Sequence, residues 1–574
     1  MVFVIRLAVL FFVAVLLAAS ISVFVFPYET FTELVFRGYR QPEKLANFRQ
    51  MLLTPQRFVL VRCGSLFLTV LSVAIVVVIW RRVPAFVRKT KAGSIRIASA
   101  IRGLWRQTLQ TERLAVGLLF AAVFASRFYF VFRLPLHVDE RFTYLYFVRK
   151  GWAVSAAYYP NPNNHILFSL LCNISDAFLA SPLLVLRLPS LLFGMAALAG
   201  FWLSARYYFS FGVAIFATAL LAFTPVVFGY GIQGRGYGLL LGWTVAACFS
   251  LVKIVSRQNT KPLYATIFVT GSVLGFYTVP VFLYPFAGMC VYSVLYFSWK
   301  RKFLPLTNFL FLAALVAVGV FALYLPVFVF NGWHSVSGNG WVAPLAWLDF
   351  KRDIASNLAA SSRILWHDLP LSWCLTLAFS LIAVFVVLSR RIPSIEKHWL
   401  ALYLCCLWVV VPVVFVQKVL LYGRVLVYIF PLQWLAFALL ARRFGLFKRY
   451  YSVMALIAVF GYAGLCLADF RESASPQGRG IYNSLDGVSN WLYEHRADRV
   501  FVQYYEYGLC IRFAYETNGR AIELDVGADR FLARKKYNFV VVHQSNRFPG
   551  GLPAADYRLV YADGQAQIFE LKKQ

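Results

Sequence analysis

The chain has 574 residues, 60% of them hydrophobic and only 14% charged, with a net charge of +32. A water-soluble globule of this size would leave far too much apolar surface exposed, and many runs reach the roughly 20 apolar residues that cross a bilayer. The Lys and Arg excess gathers in short segments between those runs, as the positive-inside rule expects, so it gives no argument for a nucleic-acid partner.

In chain order, the first apolar run, 2–26, has no clear small-residue cleavage site. It reads as an uncleaved signal anchor, with a signal peptide as the alternative. Further runs lie near 58–80, 114–134, 187–205, 212–230, 236–256, 262–278, 280–298, 306–330, 370–389, 399–416, 425–441 and 451–468. The pattern predicts a polytopic α-helical membrane protein of about 13 spans. Arg81–Arg113 carries nine Lys/Arg and one acid. The segments Lys253–Lys261, Trp299–Lys302, Arg390–His398 and Arg442–Tyr450 are also basic. With the N-terminus inside, all five fall on the cytoplasmic side. The outer loop 27–57, with its five Lys/Arg, is the exception.

The same orientation puts Pro135–Leu186, Gln233–Tyr237, Asn331–Pro370 and Gln417–Arg424 outside, together with the tail from about 470. Within Pro135–Leu186, stretches near 140–150 and 165–180 mix apolar and polar residues and predict helices lying in the interface. The tail changes composition. Arg499–Tyr504, Ala521–Asp525, Phe539–His543 and Tyr557–Tyr561 have strand character. Asn483–His495 and Glu506–Glu516 read as helices, and Tyr557–Leu571 as a hairpin turning at Asp563-Gly564. Three domains follow: 1–113, two spans and a basic linker; 114–469, a membrane module with the outer loop 135–186; and 470–574, a small extracytoplasmic α/β domain. The nine cysteines show no CxxC pair and no metal-type spacing.

Four polar features meet on the outer side. Asp139-Glu140 is an acidic pair just past the end of a span. Asp139 either N-caps a helix starting at Glu140 or does chemistry, and the two roles are compatible. Pro160–His165 is a polar turn in which Asn164 either caps the next helix or binds substrate, and His165 is the member suited to more. Gln233-Gly234-Arg235-Gly236-Tyr237 is a tight turn at the top of a span pair. Gln417–Arg424 brings Lys418 and Arg424, which are span anchors or ligands. One acid and several cations at a membrane surface suit a lipid phosphate or diphosphate, which arginine grips with forked hydrogen bonds.

From about 114 to 440 the chain resembles the GT-C integral-membrane glycosyltransferases, most of all the protein O-mannosyltransferase and lipid A aminoarabinose transferase group. Asp139-Glu140 matches that group's acidic pair. Asn163-Asn164-His165 matches the element before its interface helix, and Leu186-Arg187-Leu188-Pro189-Ser190 the opening of its next span. Thr224-Pro225 with Gln233–Tyr237 is a partial match, with glycines where the family has Glu and Ala. Arg424, Tyr428 and Pro431 loosely match a late Arg-Tyr…Pro element. The resemblance implies a multi-pass enzyme of the inner or plasma membrane that takes a sugar from a polyprenyl-phosphate donor. The acceptor is a protein, a lipid or a polysaccharide.

The residue chemistry fits that implication. A departing phosphate needs cations, for which Arg235 and Arg424 are the candidates, with Lys418 and His165 beside them. Asn164 and Tyr237 are further substrate-binding candidates. An acceptor hydroxyl needs a base, for which Asp139 is the candidate, with inversion at the anomeric carbon. Glu140 completes the catalytic pair, by orienting Arg141 or a neighbouring cation. Nothing in the pattern demands a cofactor or a bound metal. A transporter or flippase of lipid-linked sugars stays open, although it would more often carry ionisable residues within its spans. A receptor or scaffold acting through its tail also stays open.

Overall fold

The computed structural model describes residues 17, 20–36, 49–50, 53–80, 83–257, 262–338, 342–445, 449–527, 536–544, 549 and 554–572. The expected first span, 2–26, lies mostly outside them. A short helix over Tyr28–Phe36 and two long ones, α1 (Pro55–Trp80) and α2 (Val83–Gln107), precede the α3 helix (Gln110–Arg133). After α3 come the short helix α4 (Val138–Thr143), a π-helical turn over Tyr144–Val148, and α5 (Ile166–Asp176). The stretches expected to lie in the interface are therefore helical, and neither is long enough to cross a bilayer. Next come α6 (Pro182–Tyr208) and α7 (Tyr237–Arg257).

Eight helices among the described residues are long and apolar enough to span. They are α3, α6, α7, Pro280–Trp299, Phe303–Asn331, Ser394–Gln417, Gly423–Arg443 and Val453–Ala474. The shorter helices Phe211–Ala222, Pro262–Thr278 and Ser372–Leu388 coincide with other expected spans. The chain is a polytopic helical membrane protein.

The expected span 212–230 is broken. Helix runs over Phe211–Ala222 and again over Pro225–Tyr230. Pro225 has no N–H, and its ring pushes the preceding residue out of the helical region; Thr224 sits at ψ 121°. Of the carbonyls this frees, Leu220 accepts from the Thr224 hydroxyl at 2.8 Å and Ala222 from a neighbouring arginine. Arg127 of α3 donates to the carbonyls of Ala222 and Val227 (3.4 and 3.2 Å), and the Trp434 indole N–H donates to Thr224 Oγ1 at 2.7 Å. In a bilayer a helix break persists only when such groups are satisfied.

The tail forms one five-stranded sheet. Its strands are β1 (Arg499–Val502), β2 (Glu523–Val526), β3 (Phe539–His543), β4 (Tyr557–Ala562) and β5 (Ala566–Leu571), in the order β2-β1-β3-β5-β4. The β1 strand is parallel to β2 and β3, and β5 is antiparallel to β3 and β4. Both faces of the sheet centre are covered. Val500, Val502 and Val541 pack with Leu485, Cys510 and Ile511 of α8 (Ile481–Glu494) and α9 (Tyr505–Thr517), while Phe501, Val540 and Val542 pack with Tyr537 and Tyr557. Strands buried on both faces read as continuous apolar runs, which is how they stood out in sequence. At the hairpin tip the Asp563 carboxylate accepts from the amides of Gln565 and Ala566, and Gly564 takes φ 82°.

This domain sits on the α4 segment. Arg141 pairs with Asp486, Arg512 donates to the Tyr146 hydroxyl at 3.1 Å, and Tyr144 meets Phe513 edge-on. The apolar Val138 side chain packs against the core under α8 and α9.

Candidate active site

The α4 helix begins four residues beyond the end of the α3 span. Its N-cap is His137. The His137 ring Nδ1 accepts from the Asp139 amide (3.1 Å), and Glu140 Oε2 accepts from the His137 amide (2.8 Å). This is a reciprocal capping box with histidine in the place usually held by Ser or Thr. The expectation that Asp139 caps the helix is therefore corrected: the cap is filled, and the Asp139 carboxylate is left for other partners.

Glu140 and its follower face opposite ways. Glu140 is fully buried and accepts four hydrogen bonds: from Arg187 Nε and Nη2 (2.9 and 2.8 Å), from the Gly234 amide (2.6 Å), and from the His137 amide. Arg187, also buried, spends its remaining donors on the carbonyls of Val131, Leu134 and Pro135. A cation over the last carbonyls of α3 suits that helix's dipole. Burial raises the Glu140 carboxyl, but the Arg187 charge and the hydrogen bonds outweigh it and hold the group below its ordinary value. Of the cations expected beside Glu140, Arg141 or a neighbour, Glu140 holds the neighbour Arg187, while Arg141 turns to Asp486.

Arg235 arrives on the loop after the broken span. It is 3% exposed. Its Nη1 donates to Thr143 Oγ1 and the Asn163 carbonyl (3.2 and 3.0 Å), and its Nη2 faces His165 Nε2 at 3.2 Å. Its Nε has no partner among the described residues. The flanking glycines are required by close approach. A Cβ at Gly234 would lie 2.6 Å from the Leu186 side chain, and one at Gly236 would lie 2.8 Å from Thr278 and 2.9 Å from His165.

His165 is buried and accepts from the Gly236 amide at 2.8 Å. Burial first, then the charges of Arg235 and Arg424, push its pKa well below the ordinary value. His165 is thus neutral, which corrects the expectation that it adds a cation. Asn164 is occupied as well. Its amide donates to the carbonyls of Ser155 and Tyr158, and its oxygen accepts from Ser169. The Asn164 side chain fastens the loop and has no group left for a substrate. Tyr237 is buried between Tyr230 and His165, with ring centroids 4.2 and 4.9 Å away. Lys418 ends its helix in the left-handed region (φ 54°) with its side chain exposed, and among the described residues it makes no side-chain hydrogen bond or ion pair with this cluster.

Asp139 is where the two halves of the chain meet. Its Oδ2 accepts from Arg424 Nη1 at 3.0 Å. The pair is partly exposed, 27% for the Asp139 side chain and 39% for Arg424. Asp139 Oδ1 has no hydrogen-bond partner among the described residues. Burial raises this carboxyl, but Arg235, His137 and Arg424 together outweigh it, so the group stays ionised below its ordinary value. Beside Arg424 in sequence, Leu421 and Leu426 line an apolar cavity of about 450 Å³, walled further by Leu358, Leu365, Trp373 and Leu407. Among the described residues no cluster of three or more His, Cys, Asp or Glu converges as a metal site would.

No family model and no curated protein sequence matches the chain. Solved structures are similar in fold. One is the Archaeoglobus fulgidus oligosaccharyltransferase with zinc and sulfate, at 14% identity and TM-score 0.47, over 74% of this chain and 68% of that one. Two others are ArnT from Cupriavidus metallidurans. The apo form has 12% identity and TM-score 0.43, and the form bound to undecaprenyl phosphate 14% and 0.40, each over 79% of this chain and 97% of that one. The roles of the residues here rest on this chain's own geometry.

Sequence alone missed Arg187, Thr143 and the Gly234 amide as parts of the site. Arg187 carried a signal: a charge in an apolar run needs a partner, and Glu140 is an acid close by.

Proposed function

We propose that the chain transfers a sugar from a polyprenyl-phosphate donor to an acceptor hydroxyl, on the extracytoplasmic side of the membrane. The observation that carries this reading is Asp139. It is an ionised, partly exposed carboxylate, held by Arg424 through one oxygen, its other oxygen without a hydrogen-bond partner among the described residues, and Arg235 adds to the positive field around it. Asp139 is the base that takes the acceptor proton as the hydroxyl attacks the anomeric carbon. Arg424 and Arg235 receive the phosphate leaving group, whose growing charge fixed guanidiniums stabilise without reorganising. Attack opposite the phosphate inverts the anomeric centre. The apolar cavity lined by Leu421 and Leu426 takes the first isoprene units of the donor. Glu140 touches no substrate. With Arg187 it locks α4 against the ends of α3 and the Arg235 loop, so that base and cations keep their spacing. No step is assigned to a metal. The five basic loops support the outward placement of the site.

A flippase of lipid-linked sugars would favour cations lining a route through the spans. Arg127 is a cation within a span, but it is enclosed. It is fully buried beside Phe228, and a Cβ on Gly231 would lie 2.5 Å from its guanidinium. The test is sugar transfer from a synthetic polyprenyl-phosphate sugar in proteoliposomes. Transfer to an acceptor supports the enzyme reading, whereas translocation of the intact lipid-linked sugar without transfer supports the flippase.

A further inference from the structure

Between α1 and α3 a short connection would serve, yet the chain builds α2, a helix of 25 residues. It carries Arg88, Lys89, Lys91, Arg96, Arg102 and Arg106, and no acid. The period of an α-helix sorts the rest. Ile97, Ile101 and Leu104 share one face and are half-buried, while Arg88, Arg96, Arg102 and Arg106 lie toward the opposite side and are exposed. Trp105 flanks the apolar face at 45% exposure, where interfacial tryptophans sit.

Two contacts fix where this helix lies. Arg113 reaches back from α3 to the carbonyls of Trp105 and Arg106 (3.1 and 3.3 Å) and covers the Trp105 ring. Gly93 approaches the start of the Pro262–Thr278 helix so closely that a Cβ would lie 2.9 Å from Leu263. The α2 helix is thereby held at span ends, at the opposite end of α3 from Asp139. At 1.5 Å per residue the 24 residues of α3 separate the two by about 36 Å.

We propose that α2 is a docking surface for the anionic lipid headgroups of the leaflet at that end. Charge complementarity argues the occupant. An amphipathic helix with six cations and no acid, leading directly into the α3 span, meets a charged lipid surface before it meets anything else. The apolar face rests against the span ends, and the exposed arginines reach the phosphates.

The test uses the full chain with Cys63→Ser and a bimane label on Ile95→Cys, which is 54% exposed, reconstituted in vesicles. The vesicles are phosphatidylcholine alone or phosphatidylcholine with phosphatidylglycerol. Loss of acrylamide quenching in the anionic vesicles is expected. It should be reversed by high salt, which screens exposed charges, and by replacing Arg88, Arg96, Arg102 and Arg106 with Gln. Equal quenching in both lipids overturns the proposal. So does shielding that persists in detergent, which would assign the face to a second copy or to the rest of the chain. If the Gln variant does not fold, the lipid and salt comparison on the labelled parent decides.

Discussion

Glu140 and Arg187 form an ion pair that is closed to solvent on both sides, at 0% and 1% side-chain exposure. Together they tie the end of α3, the start of α4 and the Gly234 amide to one point. Removing one member strands a buried charge, which commonly costs about 3–5 kcal/mol. Arg187→Met should therefore lower thermal stability in detergent far more than Asp349→Asn, which breaks only the exposed Arg352–Asp349 pair, because solvent-exposed ion pairs contribute little. Differential scanning fluorimetry of the two variants makes the comparison.

The pH response of the reaction should show how Asp139 is held. Its carboxyl is depressed, so the ionised base is present at neutral pH and is lost only as pH falls through that lowered value. The same sign holds for stability: what the ion pair contributes is present above the ordinary carboxylate range and disappears on acidification. Arg424→Gln removes one of the depressing charges. The acid limb of kcat/KM for this variant should move to higher pH, apart from any change in its plateau. An acid limb that stays in place would mean that another group governs it.

The two arginines should be hard to replace by lysine. Arg235 makes three separate contacts through one planar group, and an ammonium cannot copy that fork. A charge-assisted hydrogen bond lost costs about 1.5–3 kcal/mol, or roughly 10–150-fold in the step that uses it. Arg235→Lys and Arg424→Lys should fall in that range in donor KM or kcat. Unchanged kinetics in both would make them anchors.

The Arg235 loop should tolerate no side chain at its glycines. Gly236→Ala forces a carbon into Thr278 and His165, whereas a Cβ on Gly117 of α3 meets nothing within 4 Å. Transfer should collapse in the first variant and persist in the second, as initial-rate assays can show.

The spans were legible because each is one unbroken apolar run, and the tail because its central strands are buried on both faces. The break at Thr224 was hidden inside such a run, since hydropathy does not register what Pro225 does to the backbone. The α2 helix was hidden as well: its six cations read as a basic linker and obscured the spacing of Ile97, Ile101 and Leu104. In the site, Asp139, Arg235 and Arg424 stood out as charges at the ends of spans. Their pairing did not, because Asp139 and Arg424 are 285 positions apart. Histidine is an uncommon cap, so the sequence left capping open as one of two roles for Asp139, where the structure gives it to His137. The charge state of His165 depends on burial beside Arg235, which no local pattern encodes.

The most direct measurement is sugar transfer by Asp139→Asn. His137 keeps the cap, and the Asp139–Arg424 pair is partly exposed, so the stability change should stay within about 1 kcal/mol. A general base contributes about 10²–10⁴ in rate. The account predicts a variant that purifies and melts like the parent, binds a polyprenyl-phosphate donor, and loses transfer by that factor. Parental turnover in a folded Asp139→Asn protein would contradict it.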